Sequence, residues 1–430
     1  MPLVPVLTAL IVAIAYFALG ALSGALSHIE TAAWTVWLAS GLVFGLLLAC
    51  DKRRWPAILV GAFLGAAVFD WSLSRPVSEA IGYGAIEVIT AVAGAMLADK
   101  IGGHPLRLAS PQDLVALLAS ALVLSIIGAL LATSWQYASG GLGMAVVFRV
   151  WTLGNVLGAV LVAPLIVAWA AFRPRRSGGL PMRTFLGGAI AFVLFVGCLQ
   201  YLFSADVQAR FHGSVGESLT YVPFVFFAIV ALLWGVRGAT LATVIGALLA
   251  IIHTVRGRGP FAGTEGFLGE AALEVQAYIF AISLTGLLIA TLAATQRVAA
   301  ARARDWQTRF EATIAAHRLL AYEWDPAGGA LVVTGDAGPL LGVAPDKLGT
   351  LADWLARVAP ADRDVVAARF GERGAAGGAG DTLRYSMQGP AGAPIVVSDE
   401  ARAIVDHDGS LHRVVGIVRV IAAGAEAARA

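Results

Sequence analysis

Ten apolar runs, each near the length of a membrane-spanning helix, fill the first two thirds of the sequence. They lie at 3–26, 32–50, 56–70, 78–98, 113–134, 147–171, 184–203, 219–236, 239–254 and 271–294. About 20 apolar residues in a helix cross the hydrocarbon core of a bilayer. The run at 56–70 is short, and only Arg237 and Gly238 separate the eighth run from the ninth, so eight to ten helices fit the pattern. Residues 1–295 are therefore predicted to form an all-α polytopic membrane bundle.

Charge is distributed unevenly between this part and the rest of the chain. The sequence is 58% hydrophobic and 13% charged, whereas a soluble domain has about 25% charged residues. Residues 296–430 hold most of the charge, which predicts a soluble C-terminal domain. The net charge of +2 gives no indication of a nucleic-acid partner. Because Cys50 and Cys198 both lie in apolar runs, neither a disulfide framework nor a metal site is predicted.

The positive residues of the loops predict the orientation in the membrane. With the N-terminus inside, the cytoplasmic segments hold Lys52, Arg53, Arg54, Lys100, Arg107, Arg173, Arg175, Arg176, Arg183, Arg237, Arg297, Arg302 and Arg304. The opposite side receives Arg75, Arg149, Arg210, Arg256 and Arg258. Lys and Arg concentrate in cytoplasmic loops, so both termini are expected to be cytoplasmic.

Several polar side chains fall inside the apolar runs. Glu87 lies in the fourth run, and Arg149 and Asn155 lie in the sixth. A charged group at the centre of a membrane helix costs about 2.5–3.5 kcal/mol on insertion scales, so such groups face a bundle interior or a cavity. Two interpretations remain open: a structural pair, such as Glu87 with Arg149, or a ligand site.

Short motifs in this part occur in an order that resembles a known family. They are Trp37–Gly41 (WLASG), Arg54-Trp55-Pro56 followed by Gly61-Ala62-Phe63, Glu87 within a run, Gln112-Asp113, and Trp151–Gly158 (WTLGNVLG) followed by Ala163-Pro164-Leu165. Together they resemble the first family of membrane-associated sensor domains, the MASE type, which implies a signalling protein of the bacterial inner membrane. Leu38 and Asn155 stand where the family pattern has Pro and Asp.

The resemblance and the intramembrane polar groups together give a candidate ligand site. Its residues are Trp37, Trp55, Glu87, Arg149, Trp151 and Asn155. We expect Glu87, Trp151 and Asn155 to face one interior cavity, with Trp37 and Trp55 near its rims, because charge facing lipid is costly.

The last apolar run continues into a charged stretch without an evident break. Residues 297–318 contain neither Gly nor Pro, and Trp306, Phe310 and Ile314 recur every four residues. Ala271–Arg318 is therefore predicted to be one helix, with 296–318 acting as a signalling linker. A passive tether is the alternative.

The remaining sequence predicts a small α+β domain over residues 305–423, followed by a tail at 424–430. Strands are expected at Leu320–Trp324, Ala330–Thr334, Thr382–Gln388, Pro394–Asp406 and Leu411–Ile421, and helices within Asp353–Phe370. Asp408-Gly409 predicts a hairpin between the last two strands. The last strand is apolar on both faces, so its outer face needs a helix or a second subunit as cover.

Two motifs in this region resemble a PAS domain. They are W-L-x-x-V-x-P-x-D-R, from Trp354 to Arg363, and D-G-S-L-x-R-V-V-G-I-V-R, from Asp408 to Arg419. Val420-Ile421-Ala422 stands where the PAS pattern usually has Asp-x-Thr. The resemblance implies a cytoplasmic signalling module of unknown ligand, and no cofactor is evident. A homodimer through the junction helix and the PAS sheet is expected.

No motif of a kinase, a cyclase, a phosphodiesterase or a P-loop enzyme occurs in the sequence. The chain is therefore expected to be a non-enzymatic sensor. It would act on an effector in trans, in the manner of a two-component system, or be the input part of a histidine kinase or diguanylate cyclase. The alternative is a small-molecule transporter with a regulatory PAS domain.

The predicted orientation has a direct test. Reporter fusions after residues 140 and 430 are expected to report opposite sides of the membrane, the second one cytoplasmic, because of the alternating loop charge. Alkaline phosphatase and green fluorescent protein are suitable reporters for the two sides. The same side for both fusions would show that the number of spans is wrong by an odd number.

Overall fold

The computed structural model describes residues 3–27, 35–138, 144–170, 180–204, 219–262, 270–370, 381–407 and 410–423. The chain divides into two compact units, Met1–Val298 and Ala299–Ala430.

The first unit is built of helices throughout its described ranges. They are α1 Leu3–Ala25, α2 Leu38–Ala49, α3 Trp55–Ser72, α4 Val77–Gly102, α5 Pro111–Ala138, α6 Met144–Ala170, α7 Met182–Ser204, α8 Pro223–Val255 and the first part of α9 Glu270–Ala316. Among the described residues, eight helices are long and apolar enough to cross a membrane, and α2 is a shorter apolar helix. The predicted polytopic helical bundle is confirmed.

Helix α8 turns back on itself at Gly235, which has φ 65° and ψ −152°. A straight helix of 33 residues would hold its ends about 50 Å apart. Instead, Phe224 at one end and Phe261 just beyond the other lie 5.5 and 5.4 Å from the same ring, that of Tyr278. A positive φ at this turn is readily adopted only by glycine. Helix α8 is therefore a hairpin of two helical segments.

The two segments of this hairpin, 223–234 and 236–255, correspond to the eighth and ninth predicted runs. Each of the ten predicted runs thus contains a helical segment among its described residues. At the turn, Arg237 Nε donates to the Ala168 carbonyl at 3.1 Å, and Arg297 donates to the Leu232 carbonyl. These arginines satisfy carbonyls at helix ends that have no partner within their own helices.

The described residues just before helix α2, 35–37, are non-helical and contact α6. Trp37 N donates to the Gly154 carbonyl at 2.9 Å, and Leu38 N donates to Ser23 Oγ at 3.0 Å. A Cβ atom added at Gly158 would collide with the Trp37 carbonyl. Hydrogen bonding and close backbone contact therefore fix the position of Trp37.

Helix α9 is continuous over 47 residues, from Glu270 to Ala316. It covers nearly all of the predicted helix Ala271–Arg318. The helix ends two residues early because Arg318 has a positive φ of 50°, which is incompatible with a right-handed helix.

The second unit contains one antiparallel sheet of five strands. They are β1 Leu319–Trp324, β2 Leu331–Gly335, β3 Asp381–Gln388, β4 Pro394–Val405 and β5 Leu411–Ala423, in the order β2-β1-β5-β4-β3. Between β2 and β3 lie the short helices α10 Ala337–Leu341, α11 Leu351–Arg357 and α12 Arg363–Phe370. The predicted antiparallel α+β arrangement is confirmed. Asp408, Gly409 and the predicted tail 424–430 lie outside the described residues, and the strands on either side of 408–409 pair as predicted.

One face of the sheet packs against these helices and forms the core of the second unit. Trp354 of α11 and Phe370 of α12 are 0% and 1% exposed. Their rings contact Tyr322 of β1 at centroid distances of 5.6 and 5.4 Å. Thr350 caps α11 in a capping box with Asp353, which starts that helix at a defined residue.

Close packing at Gly158 predicts a position-specific cost for a single methyl group. We expect Gly158→Ala to lower the free energy of unfolding by about 1–3 kcal/mol, because the methyl group overlaps the Trp37 backbone. Gly197→Ala is the control, since a Cβ atom there meets nothing within 4 Å. It is expected to change stability by less than about 1 kcal/mol, in the favourable direction. Thermal unfolding of both variants in nanodiscs checks this, and equal effects would contradict it.

Candidate functional site

A cavity of about 50 Å³ lies within the membrane unit. It is lined by four of the six residues that the sequence singled out, Trp37, Glu87, Trp151 and Asn155. On α6, Trp151 and Asn155 are four residues apart and so share one face. Asn155 Nδ2 donates to the Trp151 carbonyl at 2.8 Å. The structure thus brings these four side chains together, and their role in ligand binding stays a prediction.

Six further residues complete the lining. They are Tyr16, Phe69, Asp70, Arg75, Tyr83 and Val150. They come from α1, from the end of α3 and the loop that follows it, from the start of α4, and from α6. Elements distant in sequence therefore meet at one polar pocket inside an otherwise apolar bundle.

Glu87 is the most deeply placed charged group of the cavity. The residue is 3% exposed, and its Oε1 atom has no hydrogen-bond partner. The Tyr16 hydroxyl interacts with the same carboxyl group through a hydrogen bond. A buried carboxylate oxygen without a partner is energetically costly. Glu87 is therefore the group of this site with unmet hydrogen-bonding capacity.

A second carboxylate in the cavity is already neutralised. Arg75 Nη1 lies 3.0 Å from Asp70 Oδ1, and the Arg75 guanidinium carbon lies 4.8 Å from the centre of the Tyr83 ring. The ion pair and the cation–π contact hold Arg75 in place. The Tyr83 ring also stacks on Trp151, with centroids 5.6 Å apart.

Two residues of the sequence-based site lie elsewhere. Trp55 begins α3, about 22 Å along the helix from Asp70. Its indole N–H donates to the Leu47 carbonyl at 3.1 Å, and its ring lies 5.8 Å from that of His104. The expectation that Trp55 lies near the rim of the cavity was wrong, because it occupies the opposite end of its helix.

Arg149 is exposed and does not line the cavity. It precedes Trp151 by two residues, which places it about 200° away around α6. The suggested pair of Glu87 with Arg149 is therefore not formed. The cation of this site is Arg75, and it pairs with Asp70.

The sequence contained a signal for one of the missed residues. Asp70 closes the third apolar run, where a carboxylate is as conspicuous as Glu87. Arg75 was assigned to a loop, and only the folded chain places it beside Asp70. Tyr16 and Phe69 are ordinary apolar-run residues, so no local pattern marks them.

A second buried polar cluster lies inside the C-terminal unit. Asp399 of β4 is 0% exposed and accepts hydrogen bonds from Tyr322 at 3.1 Å and from Tyr385 at 3.2 Å. The Trp354 indole N–H donates to the Tyr385 hydroxyl at 3.2 Å. Arg369 donates to the Asp399 backbone carbonyl at 3.2 Å. The cluster joins three strands and two helices of this unit around one buried aspartate.

Strand alternation contained the signal for Asp399. Ile395 and Val397 of the same strand are buried, and Asp399 shares their face because side chains alternate along a strand. Burial raises the pKa of Asp399 from 3.8 to about 6, while the nearby Arg369 charge and the two tyrosine hydroxyls act in the opposite direction.

Within the described ranges, no group of three or more His, Cys, Asp or Glu residues could hold a metal ion.

The described helices of the first unit form a polytopic membrane bundle that contains a polar cavity. The MASE1 family model matches residues 6–297. The chain belongs to the MASE1 family of membrane-associated sensors. None of the curated proteins matches the sequence.

Two solved structures are similar to part of the chain. One is the N-terminal domain of a diguanylate cyclase with PAS/PAC sensor from Marinobacter aquaeolei, with 16% identity, TM-score 0.22, and coverage of 24% of this chain and 94% of that one. The other is a sensory box histidine kinase/response regulator from Burkholderia thailandensis E264, with 18% identity, TM-score 0.21, and coverage of 26% and 84%.

The buried Asp399 predicts how the stability of the C-terminal unit depends on pH. Because the folded pKa is raised, the folded unit retains a proton that the unfolded chain has released between pH 3.8 and about 6. We expect stability to be greatest below this range and to fall by roughly 3 kcal/mol as pH rises through it. Hydrogen exchange of β3–β5 in the full chain from pH 4 to pH 7 measures this fall.

The matched variant for this measurement is Asp399→Asn. The amide oxygen still accepts from the tyrosines and does not titrate, so this pH-dependent step is expected to vanish. A step of unchanged size in the variant would assign the proton to another group.

Proposed function

We propose that the chain is a bacterial inner-membrane sensor that detects a stimulus at the membrane cavity and passes it to the C-terminal unit. The observation that supports this most is α9, in which one 47-residue helix contains both a membrane span and the charged linker. A continuous helix transmits rotation or translation, whereas a flexible tether does not. Both termini are cytoplasmic in this proposal.

We assign the C-terminal unit as a PAS domain. The support is its antiparallel sheet order β2-β1-β5-β4-β3, with short helices between β2 and β3. The described core is filled by protein side chains, among them Trp354 and Phe370. The unit acts, in this proposal, as a protein module without catalytic activity. Its output goes to an effector in trans or to an output domain outside this sequence.

We further propose that two copies pair through the C-terminal unit and its helix. Trp306 and Phe310 stack with centroids 5.3 Å apart and, with the outer face of the sheet, line a groove of about 690 Å³. Trp306 is 68% exposed and Ile417 is 43% exposed, so this apolar surface is only partly covered. Glu400 and Arg402 both line the groove, so a two-fold axis can bring opposite charges together.

A small-molecule transporter is the second candidate. The observation that favours it is a pair of interrupted elements, the short helix α2 with the non-helical residues before it and the hairpin at Gly235. Transporters often bind substrates where membrane helices are broken. Concentrative uptake into vesicles that contain the protein would favour this function over sensing.

The proposed coupling predicts that the rotational phase of α9 matters. One residue inserted between Arg297 and Arg304 rotates the following helix by about 100°, whereas seven residues complete nearly two turns. We expect Glu87→Gln to change disulfide crosslinking between copies that carry Phe310→Cys by about fivefold. One inserted Ala is expected to remove this response, and seven inserted residues to retain it.

The measurement uses a background in which Cys50 and Cys198 are replaced by Ser. Membrane insertion is the control and should survive both insertions, since the described residues 299–304 are exposed. If seven residues abolish the response as fully as one, the helix acts as a tether and the proposed transmission is wrong.

A further inference from the structure

The inner end of the membrane cavity offers hydrogen-bond acceptors to a ligand. Glu87 Oε1 is buried and has no partner. Asn155 lines the same cavity and donates its Nδ2 group to the Trp151 carbonyl. The Tyr16 hydroxyl already interacts with Glu87, and Trp37 interacts with Tyr16. A ligand that reaches this end must therefore donate hydrogen bonds.

The cavity also has more acidic than basic side chains. Asp70 is paired with Arg75, so these two groups cancel. No Lys, Arg or His side chain among the described residues forms an ion pair with Glu87. A buried carboxylate is stabilised by a cation that pairs and hydrogen-bonds with it. The described lining therefore provides no cationic side chain as a partner for Glu87.

The walls around this carboxylate are aromatic. The Trp37 ring meets Phe69 edge to face at 5.4 Å and Tyr16 at 6.4 Å, and Trp151 stacks on Tyr83 on the other side. Aromatic faces attract cations, most strongly when water is excluded. A cavity of about 50 Å³ has room for roughly four water-sized groups, which limits the ligand to a few heavy atoms.

We propose that this cavity binds a small primary organic ammonium ion. Its ammonium group donates to Glu87 Oε1 and its short carbon chain lies among Trp37 and Trp151. This proposal rests on the proposed function, because the ammonium ion would be the stimulus that the sensor detects at this cavity. An anion fits less well, because it would have to displace Asp70 from Arg75.

Equilibrium dialysis of the full chain tests the ligand class directly. The chain is held in phosphatidylcholine nanodiscs, which carry no net charge, in sodium chloride buffer, and empty nanodiscs are subtracted. The radiolabelled probes are ethylammonium, ethanol and acetate, three small molecules that are cationic, neutral and anionic. We expect one saturable ethylammonium site per chain and no saturable site for ethanol or acetate.

Variants locate the site. Glu87→Gln is nearly isosteric and is expected to weaken ethylammonium binding by roughly tenfold or more. Glu274→Gln is the control, since Glu274 is also a carboxylate of a membrane helix but does not line the cavity, and it should leave binding unchanged. If Glu87→Gln does not insert into membranes, Trp151→Leu replaces it and should also weaken binding. Thermal unfolding confirms that each variant is folded.

The outcomes separate this inference from the proposed function. Saturable binding of acetate or ethanol instead of ethylammonium, binding of none of the probes, or unaltered binding in the folded variants would overturn the ligand class. The crosslinking response to Glu87→Gln can still be present in that case, which leaves the sensor function standing. Ethylammonium binding without any change in Phe310→Cys crosslinking would support the site and argue against transmission.

Discussion

The hydrogen bond from Trp37 N to the Gly154 carbonyl is the interaction on which the membrane unit depends most. A non-helical backbone segment inside an apolar bundle has no helical hydrogen-bond partners of its own, and lipid supplies none. At this point α6 and Ser23 supply them, and glycine at position 158 permits the close approach. The same contact places the Trp37 ring against the cavity. The contact between the Trp37 backbone and α6 thus determines helix packing, backbone hydrogen bonding and the geometry of the cavity.

Much of the architecture could be predicted because its signals are local. Apolar run length marked every membrane segment, including the two halves of the hairpin that share only Gly235 as their turn. Short runs bounded by turn residues marked the five strands. The i, i+4 spacing of Trp151 and Asn155 placed both on one helix face. These patterns repeat every few residues, so they can be recognised in the sequence without knowledge of the fold.

Which charged side chains form ion pairs could not be predicted from the local sequence. Arg75 follows the third apolar run and Arg149 lies near the start of the sixth, and nothing local shows which one meets a carboxylate. Which arginine pairs with a carboxylate depends on how α3, α4 and α6 pack in the tertiary structure. Trp55 belongs to the same motif pattern as Trp37, yet the length of α3 separates it from the cavity. The burial of Asp399, in contrast, could be predicted, because it shares a strand face with Ile395 and Val397.

The tight turn at Gly235 also constrains how the chain is made. Segment 223–234 is about 18 Å long, which is shorter than the roughly 30 Å of the hydrocarbon core. Alone, it has too few residues to remain in the bilayer as it leaves the ribosome. We therefore expect its entry to be coupled to that of 236–255, so that the two enter as one helical pair. A side chain at position 235 that resists a positive φ would then reduce the amount of protein that reaches the membrane, before any stimulus is encountered.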